Sequence, residues 1–263
     1  MFDLDAYLER IGLGPRPGLA EVHRAHCTSI PFENLDPHRG VPVSLAVEDL
    51  EEKIVRRGRG GYCFEQNLLL KAALEALGAE VELYLARVRY GAPGVIRPRS
   101  HLVLRVADGD GIWHADVGFG HGTPLEPLPF GPGPAREQSG WRYRVVADGP
   151  ELVLQTVEGG EWVDLYGFLS EHPVPPIDVE TINWWTCTHP TSPFVTGLIV
   201  SRQDDDGVRI TLSDWDGLSL REATPRGRTF TPVECREVPE LLASRFGIVG
   251  FALAEDGRLR LPA

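Results

Sequence analysis

The stretch RGRGGYCFEQN, residues 57–67, decides the fold because it joins a glycine run to the start of a helix. Apolar residues recur at helical spacing over residues 62–77, and Gly78 stands where a C-cap belongs. Cys63 therefore falls in the first turn of the predicted helix. A helix N-terminus and a neighbouring imidazolium both favour the thiolate, which is the nucleophilic form of cysteine. Cys63 is thus the candidate nucleophile, and an inert core cysteine is the plain alternative.

The glycines before Cys63 are expected to serve the same chemistry. A thiol that attacks a bulky substrate needs backbone that can approach the substrate closely, without a Cβ in the way.

Periodicity divides the chain into a helical start, a β-rich middle and a mixed last part. Helices are predicted over residues 4–11, 19–29, 47–55 and 238–246. Strands are predicted over residues 81–85, 102–106, 112–117, 141–146, 198–202, 208–212 and 228–230. Residues 162–169 suit a short strand or helix that leads into a proline-rich bend. The fold class is therefore α+β.

Composition limits the partners. The chain has 263 residues, 42% of them hydrophobic, and a net charge of -12 from 26 basic and 38 acidic side chains. No window combines clustered Lys and Arg with aromatics, so nucleic acid is not an expected partner. An anionic cofactor would require a few arginines or helix N-terminal amides to gather at one cleft.

The compartment follows from the first residues and the cysteines. Residues 1–5, MFDLD, lack a basic segment followed by an apolar one, and no apolar run approaches the length of a bilayer span. The four cysteines include no C-x-x-C pair, which argues against a disulfide framework and a zinc site. We therefore expect a cytoplasmic protein with no metal and no membrane association.

A predicted hairpin supplies the partners of the nucleophile. With Asp108 and Gly109 as a two-residue turn, His101 lies directly opposite Asp116, with their Cβ atoms about 5 Å apart. The carboxylate would then fix the tautomer of the imidazole, which could take the Cys63 proton. The apolar set on the other face supports this register: Leu102, Leu104 and Val106 against Ala115, Trp113 and Gly111. A turn at Asp110 and Gly111 would instead pair His101 with Gly120, and a surface His–Asp pair remains the plain alternative.

Other candidate clusters are weaker. His26–Cys27 and Cys187–Thr188–His189 lack further ligands at zinc spacing. His114 shares the side of His101, as a supporting or a surface group. The run GFGHG, residues 118–122, suits a loop beside a ligand or an ordinary turn.

Four blocks resemble the arylamine N-acetyltransferase family. Residues 57–67 are similar to its active-cysteine motif, and residues 30–35 (IPFENL) to its N-terminal signature. Residues 100–101 (SH) and 116–120 (DVGFG) resemble its histidine and aspartate segments, and residues 188–194 (THPTSPF) a further motif. The blocks follow family order and cover most of the chain.

The resemblance implies a papain- and transglutaminase-like cysteine core in three domains. These would be a helical bundle over residues 1–79, a β-barrel over residues 80–180 and an α/β lid over residues 181–263. It assigns the catalytic triad to Cys63, His101 and Asp116. By the same resemblance, the substrate and coenzyme A cleft is lined by Phe32, Tyr62, Val88, Tyr90, Ser100, Phe119, Gly120 and Phe194. The loop over residues 91–98 is expected to border this cleft.

The implied activity is ping-pong transfer of an acetyl group from acetyl-CoA to an arylamine or hydrazine, a reaction of xenobiotic metabolism. The partners would be these small molecules, with the protein a monomer or homodimer. Three alternatives keep the same triad or fold: an amide synthase of the kind that closes ansamycin macrolactams, a cysteine thioester hydrolase, and a silent binding module.

Overall fold

A computed structural model describes residues 2–91, 94–109, 111–254 and 259–261. Within these residues the helices are α1 (Leu4–Arg10), α2 (Leu19–Ser29), α3 (Leu35–His38), α4 (Val47–Leu50), α5 (Cys63–Ala76), α6 (Pro176–Thr188), α7 (Pro193–Thr196) and α8 (Val238–Phe246). None of these helices combines the length and apolarity needed to cross a bilayer.

The strands comprise two main sheets and one small pair. They are β1 (Phe32–Glu33), β2 (Glu80–Val88), β3 (His101–Asp108), β4 (Gly111–Ala115), β5 (Leu128–Pro129), β6 (Arg136–Gln138), β7 (Trp141–Asp148), β8 (Glu151–Glu158), β9 (Glu161–Leu169), β10 (Ile199–Gln203), β11 (Arg209–Ser213), β12 (Ser219–Thr224), β13 (Gly227–Pro232), β14 (Ala252–Leu253) and β15 (Leu259–Arg260).

The first part of the chain is helical and packs around α5. Phe64, Leu69, Leu70 and Ala73 of α5 are fully buried, and they share one core with α1, α2 and the inner side of the β2–β4 strands. The helix predicted over residues 47–55 is α4 followed directly by a π-helical segment, Glu51–Arg56. Cys63, the first residue of α5, belongs to the same core and therefore lies next to the β-rich part of the protein.

The middle part is a curled antiparallel sheet in the order β5-β4-β3-β2-β9-β8-β7-β6. Its β3–β4 register differs from the expected one, because Asp108 pairs with Gly111 and Leu104 with Ala115. The predicted turn at Asp108 and Gly109 is therefore wrong by one residue, and the pairing is shifted by two. Because side chains alternate with a period of two, such a shift leaves His101 and Asp116 on the same side of the hairpin. The competing turn involved Asp110, which lies outside the described residues.

The last part places helices against a second sheet in the order β1-β10-β11-β12-β13. The first strand of this sheet comes from the helical part, with Glu33 paired to Val200. Expected strands in this part are present as β10, β11 and β13, and the expected helix is α8, whereas α6 was not predicted. The proline-rich segment read as a bend ends at Pro176, which occupies the first turn of α6, where a proline has no hydrogen bond to lose.

Candidate active site

Cys63 is the first residue of α5 and is held at the bottom of a cleft. Its side chain is 3% exposed, and its Sγ lies 3.6 Å from the carbonyl oxygen of Ser100. The turn before it is fixed by Glu65, whose Oε2 accepts the backbone N–H of Tyr62 at 3.0 Å. The helix therefore begins at Cys63, which lies in its first turn as the sequence predicted.

Gly60 and Gly61, which precede Cys63, lie against other protein segments. Neither glycine lines the cavity that opens beside Cys63. A Cβ on Gly60 would lie 2.0 Å from the carbonyl oxygen of Pro31, and one on Gly61 would lie 2.8 Å from Cβ of Glu65. For Gly60 and Gly61 the expectation that these glycines face a bulky substrate is therefore wrong. Their absent side chains let residues 60–62 pass between β1 and α5.

His101 and Asp116 are in direct contact. The His101 Nε2 lies 2.7 Å from Asp116 Oδ2, although the residues are not opposed in the β3–β4 ladder. Asp116 follows the end of β4, and the chain turns there so that its carboxylate reaches the ring. Because Nε2 donates to the carboxylate, Nδ1 is the ring atom available to exchange a proton with Cys63.

Four donors surround the Asp116 carboxylate. The side-chain amide of Asn67 and the backbone N–H of Gly118 donate to Oδ1 at 2.9 and 2.8 Å. His101 and the Tyr166 hydroxyl donate to Oδ2, each at 2.7 Å. Burial alone would raise the pKa of Asp116, but His101 and these hydrogen bonds hold it far below its usual range. The buried carboxylate therefore stays charged.

This charge controls the His101 ring. Burial on its own would lower the pKa of His101, but Asp116 and the interaction with the Cys63 side chain raise it to about 10. At neutral pH the ring therefore carries a proton on each nitrogen. An imidazolium in contact with a thiol is the arrangement that stabilises a thiolate.

Two residues that the sequence analysis left without a role hold the Asp116 segment. Asn67 lies one helical turn after Cys63 and also contacts the next backbone group, since its Oδ1 accepts the N–H of Val117 at 3.0 Å. His23 of α2 accepts the backbone N–H of Asp116 at Nε2, 3.2 Å away, and donates from Nδ1 to the carbonyl of Leu125. Asn67 could have been suggested by its i+4 spacing from the nucleophile, whereas His23 carries no such signal.

Gly118 explains how the two halves of the site approach each other. A Cβ at this position would lie 2.7 Å from the Cα of Cys63. Any larger residue would separate the Asp116 segment from the start of α5. The glycine run that suited a loop or a turn is thus a packing contact between protein segments at this one position.

His114 is buried rather than exposed. Its Nε2 lies 2.8 Å from the Tyr166 hydroxyl, which itself donates to Asp116. Burial lowers the pKa of His114 to about 4, so this ring is neutral while His101 is charged. Of the two readings left open for this residue, the structure gives the supporting one.

A cavity of about 670 Å³ opens above Cys63 and His101. Six residues of the expected cleft line it: Phe32, Val88, Tyr90, Ser100, Phe119 and Phe194. Tyr62 and Gly120 do not line it. Tyr62 is fully buried behind the wall, edge-on to Phe194, and Gly120 packs under the Phe32 ring.

Part of the wall was not predicted. Ile199 and Trp215 come from the last part of the chain, and Arg97 and His121 come from loops of the middle part. Trp215 is 51% exposed at the edge of the cavity. Arg97 belongs to the loop expected to border the cleft, although Ala92 and Pro93 of that loop lie outside the described residues. No group of residues in the described ranges is suited to hold a metal ion.

The comparisons with known proteins agree on one family. A family model described as N-acetyltransferase matches residues 17–251. The arylamine N-acetyltransferase of Mycolicibacterium smegmatis is 44% identical over 214 residues, 78% of this chain and 78% of that protein. The arylamine N-acetyltransferase of Mycobacterium tuberculosis is 36% identical over 98% of this chain and 93% of its own length. The solved structure of the Mycobacterium marinum enzyme in complex with CoA superposes with a TM-score of 0.87 at 38% identity, covering 94% of this chain and 93% of its own.

Proposed function

We infer the reaction from one premise: this chain belongs to the arylamine N-acetyltransferase family. We propose that it transfers an acetyl group from acetyl-CoA to an arylamine, arylhydrazine or arylhydroxylamine through a thioester on Cys63. The observation that carries the proposal is the shared cavity, where Cys63 lies beside His101 and the His101 ring is held by Asp116 at 2.7 Å.

In the first half-reaction the Cys63 sulfur attacks the carbonyl carbon of acetyl-CoA. A carbon–sulfur bond forms to Cys63 and the bond to coenzyme A breaks, while the proton held on His101 passes to the departing thiolate. The backbone N–H of Cys63 lies in the first turn of α5, where such groups lack a partner within the helix. It is a suitable donor to the developing oxyanion, and one such donor typically contributes about 2.7–4 kcal/mol.

In the second half-reaction the nitrogen of the acceptor attacks the Cys63 thioester. His101 Nδ1 receives the proton that the nitrogen loses, the bond to Cys63 breaks, and the acetylated amine leaves. Arylamines are neutral at pH 7, so the site needs an apolar aromatic wall more than a base that deprotonates an ammonium. Phe32, Phe119 and Phe194 provide that wall.

The test separates the two half-reactions. Exposure to acetyl-CoA alone should add one acetyl group to the intact mass, and a later arylamine should remove it as acetylated product. Cys63→Ala should form no adduct. Cys235→Ala is the matched control, because Cys235 is an exposed free cysteine outside this cavity, and it should behave as wild type.

Other outcomes would indicate one of the alternative functions. Steady thiol release at an unchanged rate without amine would indicate a thioester hydrolase. An adduct only with longer or carrier-bound acyl groups would indicate an amide synthase. Absence of any adduct would indicate a silent binding module and would contradict the proposal.

The organisation expected from the sequence belongs to the same proposal. We take residues 1–79, 80–180 and 181–263 as the helical, barrel and lid domains, with the cleft between them. The four free cysteines suit a reducing compartment, and we propose the cytoplasm. We also propose that the protein is a monomer or a homodimer, because the residues that line the cavity beside Cys63 come from one chain.

A further inference from the structure

One face of the second sheet carries a group of arginines. Arg209 of β11 pairs with Ala223 of β12, which pairs with Arg228 of β13, and paired residues share a face. Arg221 precedes Ala223 by two residues and so lies on that face as well. The opposite face of these strands packs against α8 in a separate apolar core. Ala223 therefore lies between Arg209 and Arg228 across the three strands.

A second cavity, of about 630 Å³, lies between this face and the turn that joins β8 to β9. We call it the arginine cleft, after Arg209, Arg221, Arg226 and Arg228, which line it. Tyr90 and His121 line both this cleft and the cavity above Cys63. The two spaces therefore meet at these two side chains.

Arg209 is a buried cation without an anion. It is 4% exposed and stacks on Trp141, with its Cζ 3.6 Å from the ring centroid, and it donates to the Tyr143 hydroxyl. Its Nε has no hydrogen-bond partner, and it forms no ion pair, within the described ranges. An unpaired buried charge is costly, so an anionic partner would complete this environment.

The remaining groups in the cleft also favour an anion. Arg221, Arg226 and Arg228 are in no ion pair with any described residue. Glu158 is the acidic side chain among the described lining residues, and its two carboxylate oxygens are held by the Tyr90 hydroxyl at 3.0 and 3.2 Å. The buried His121 Nε2 has no partner in the described structure and borders both spaces. Four guanidinium groups against one carboxylate give a local positive charge on a protein of net charge -12.

We propose that the arginine cleft binds the phosphate groups of the coenzyme A donor, and that the pantetheine chain runs past Tyr90 and His121 to Cys63. This proposal rests on the proposed function, which supplies the donor. Guanidinium groups bind phosphate oxygens through paired, charge-assisted hydrogen bonds, so several arginines on one face suit a ligand with several phosphates. The local charge would also attract the anionic donor to the cleft.

Donors with and without phosphates test the proposal. The double variant Arg221→Ala/Arg228→Ala should lower kcat/KM for acetyl-CoA by roughly 10- to 100-fold, mainly through KM. With S-acetyl-N-acetylcysteamine, an acetyl thioester that has no phosphate, its kcat/KM should stay within about twofold of wild type. Both positions are at least partly exposed, so the variant should fold. Arg236→Ala, which removes one positive charge at an exposed site outside the cleft, should leave both donors unaffected.

An equal loss with both donors would indicate a structural role and would overturn the proposal, as would no loss with either. Direct binding keeps this result separate from catalysis. In Cys63→Ala protein, coenzyme A should bind more tightly than dephospho-coenzyme A, and adenosine 3′,5′-bisphosphate should compete with it. The double arginine variant should lose that preference.

Inorganic phosphate distinguishes the two sources of the anion. If phosphate binds with the same dependence on Arg221 and Arg228 while coenzyme A does not bind, the cleft is a free-anion site and the donor assignment is overturned. If coenzyme A binds as expected but wild type transfers no acetyl group to any amine, the proposed function fails and the cleft assignment stands.

Discussion

The cavity above Cys63 and the arginine cleft share two lining residues, but the buried charges beside them are balanced in different ways. At Asp116 four donors meet one buried carboxylate, so the charge is balanced within the protein. At Arg209 the charge is equally buried, but the described residues offer it an aromatic ring and a hydroxyl and no carboxylate within ion-pair distance. The charge of Asp116 is thus balanced by protein groups alone, whereas in our proposal the charge of Arg209 is balanced by the bound donor.

The same contrast occurs on a smaller scale between two histidines. His101 and His114 are both buried beside the Asp116–Tyr166 pair, but their pKa values are about 10 and about 4. Direct contact with the carboxylate outweighs burial at His101. At His114 the Tyr166 hydroxyl lies between the ring and the carboxylate, so burial dominates.

Removal of the Asp116 charge should have the largest effect of the changes considered. Asp116→Asn should reduce kcat/KM for acetyl transfer by roughly 10³- to 10⁴-fold, because His101 loses both its counter-charge and its fixed tautomer. Steady-state kinetics would measure the loss, and the His101 pKa, followed by NMR, should fall from about 10. Asp178→Asn, an exposed site on α6, is the matched control. A loss of less than tenfold would contradict a central role for the carboxylate.

Loss of one of the four donors should have a smaller effect. Tyr166→Phe removes the hydroxyl that donates to Asp116 at 2.7 Å, and a hydrogen bond to a charged group is worth about 1.5–3 kcal/mol. We expect kcat/KM to fall by roughly 10- to 100-fold while the fold remains. Tyr84→Phe removes a hydroxyl bonded to Glu82 on the same sheet and should retain full activity. Equal activity of the two variants would exclude a role for the Tyr166 hydroxyl.

The two histidines should act on stability with opposite signs. The pKa of His114 falls from 6.5 to about 4 on folding, so unfolding takes up a proton between these pH values and stability is lost as the pH falls through that range. His114→Gln should reduce the slope of the unfolding free energy against pH in this window by about 1.4 kcal/mol per pH unit. His101 acts the other way, since its contribution is full below pH 6.5 and is lost as the pH rises through about 10.

Urea unfolding at several pH values would measure these slopes. His172→Gln, at an exposed site, should leave the slope between pH 4 and 6.5 unchanged. An identical slope for His114→Gln and wild type would mean that this ring is already charged in the folded protein.

A change in salt concentration should have the smallest effect on activity. It should act on the arginine cleft and not on the buried site around Cys63. The arginine cleft is partly open, so its attraction for phosphates should be screened, and KM for acetyl-CoA should rise severalfold between about 0.01 and 0.15 M salt. The triad is buried, so turnover of a phosphate-free donor should change little over the same range. Parallel salt responses for both donors would remove the distinction.

The sequence predicted the elements that depend on local patterns. The bounds of α2 and α8 agree with the expected ones, because their apolar faces repeat at helical spacing. The β3–β4 turn was placed one residue too early, since two adjacent Asp–Gly pairs give the same local signal and the observed pairing of Asp108 with Gly111 matches neither of them. The start of α6 was missed because proline suits both a bend and a first helical turn.

The parts of the site that lie within one sequence motif were predictable. The parts that depend on residues from distant helices and strands were not. The structure brings Cys63, His101 and Asp116 to one place, and their catalytic roles stay predictions until tested. His23 and Tyr166 meet Asp116 from 93 and 50 residues away in the sequence. The arginine cleft needs the register of three strands before its members can be seen to share a face, and no local pattern specifies that register.

The pairing of β1 with β10 has a consequence for how the protein is completed during synthesis. Phe32 lines the cavity above Cys63, yet its backbone partner is Ser201, and the neighbouring Asn34 side-chain amide donates to the carbonyl groups of Phe194 and Gly197. A nascent chain that has emerged only as far as Asp116 already contains Cys63, His101 and Asp116. It still lacks the strand that seats Phe32. Synthesis of the cavity wall is therefore completed later than synthesis of Cys63, His101 and Asp116.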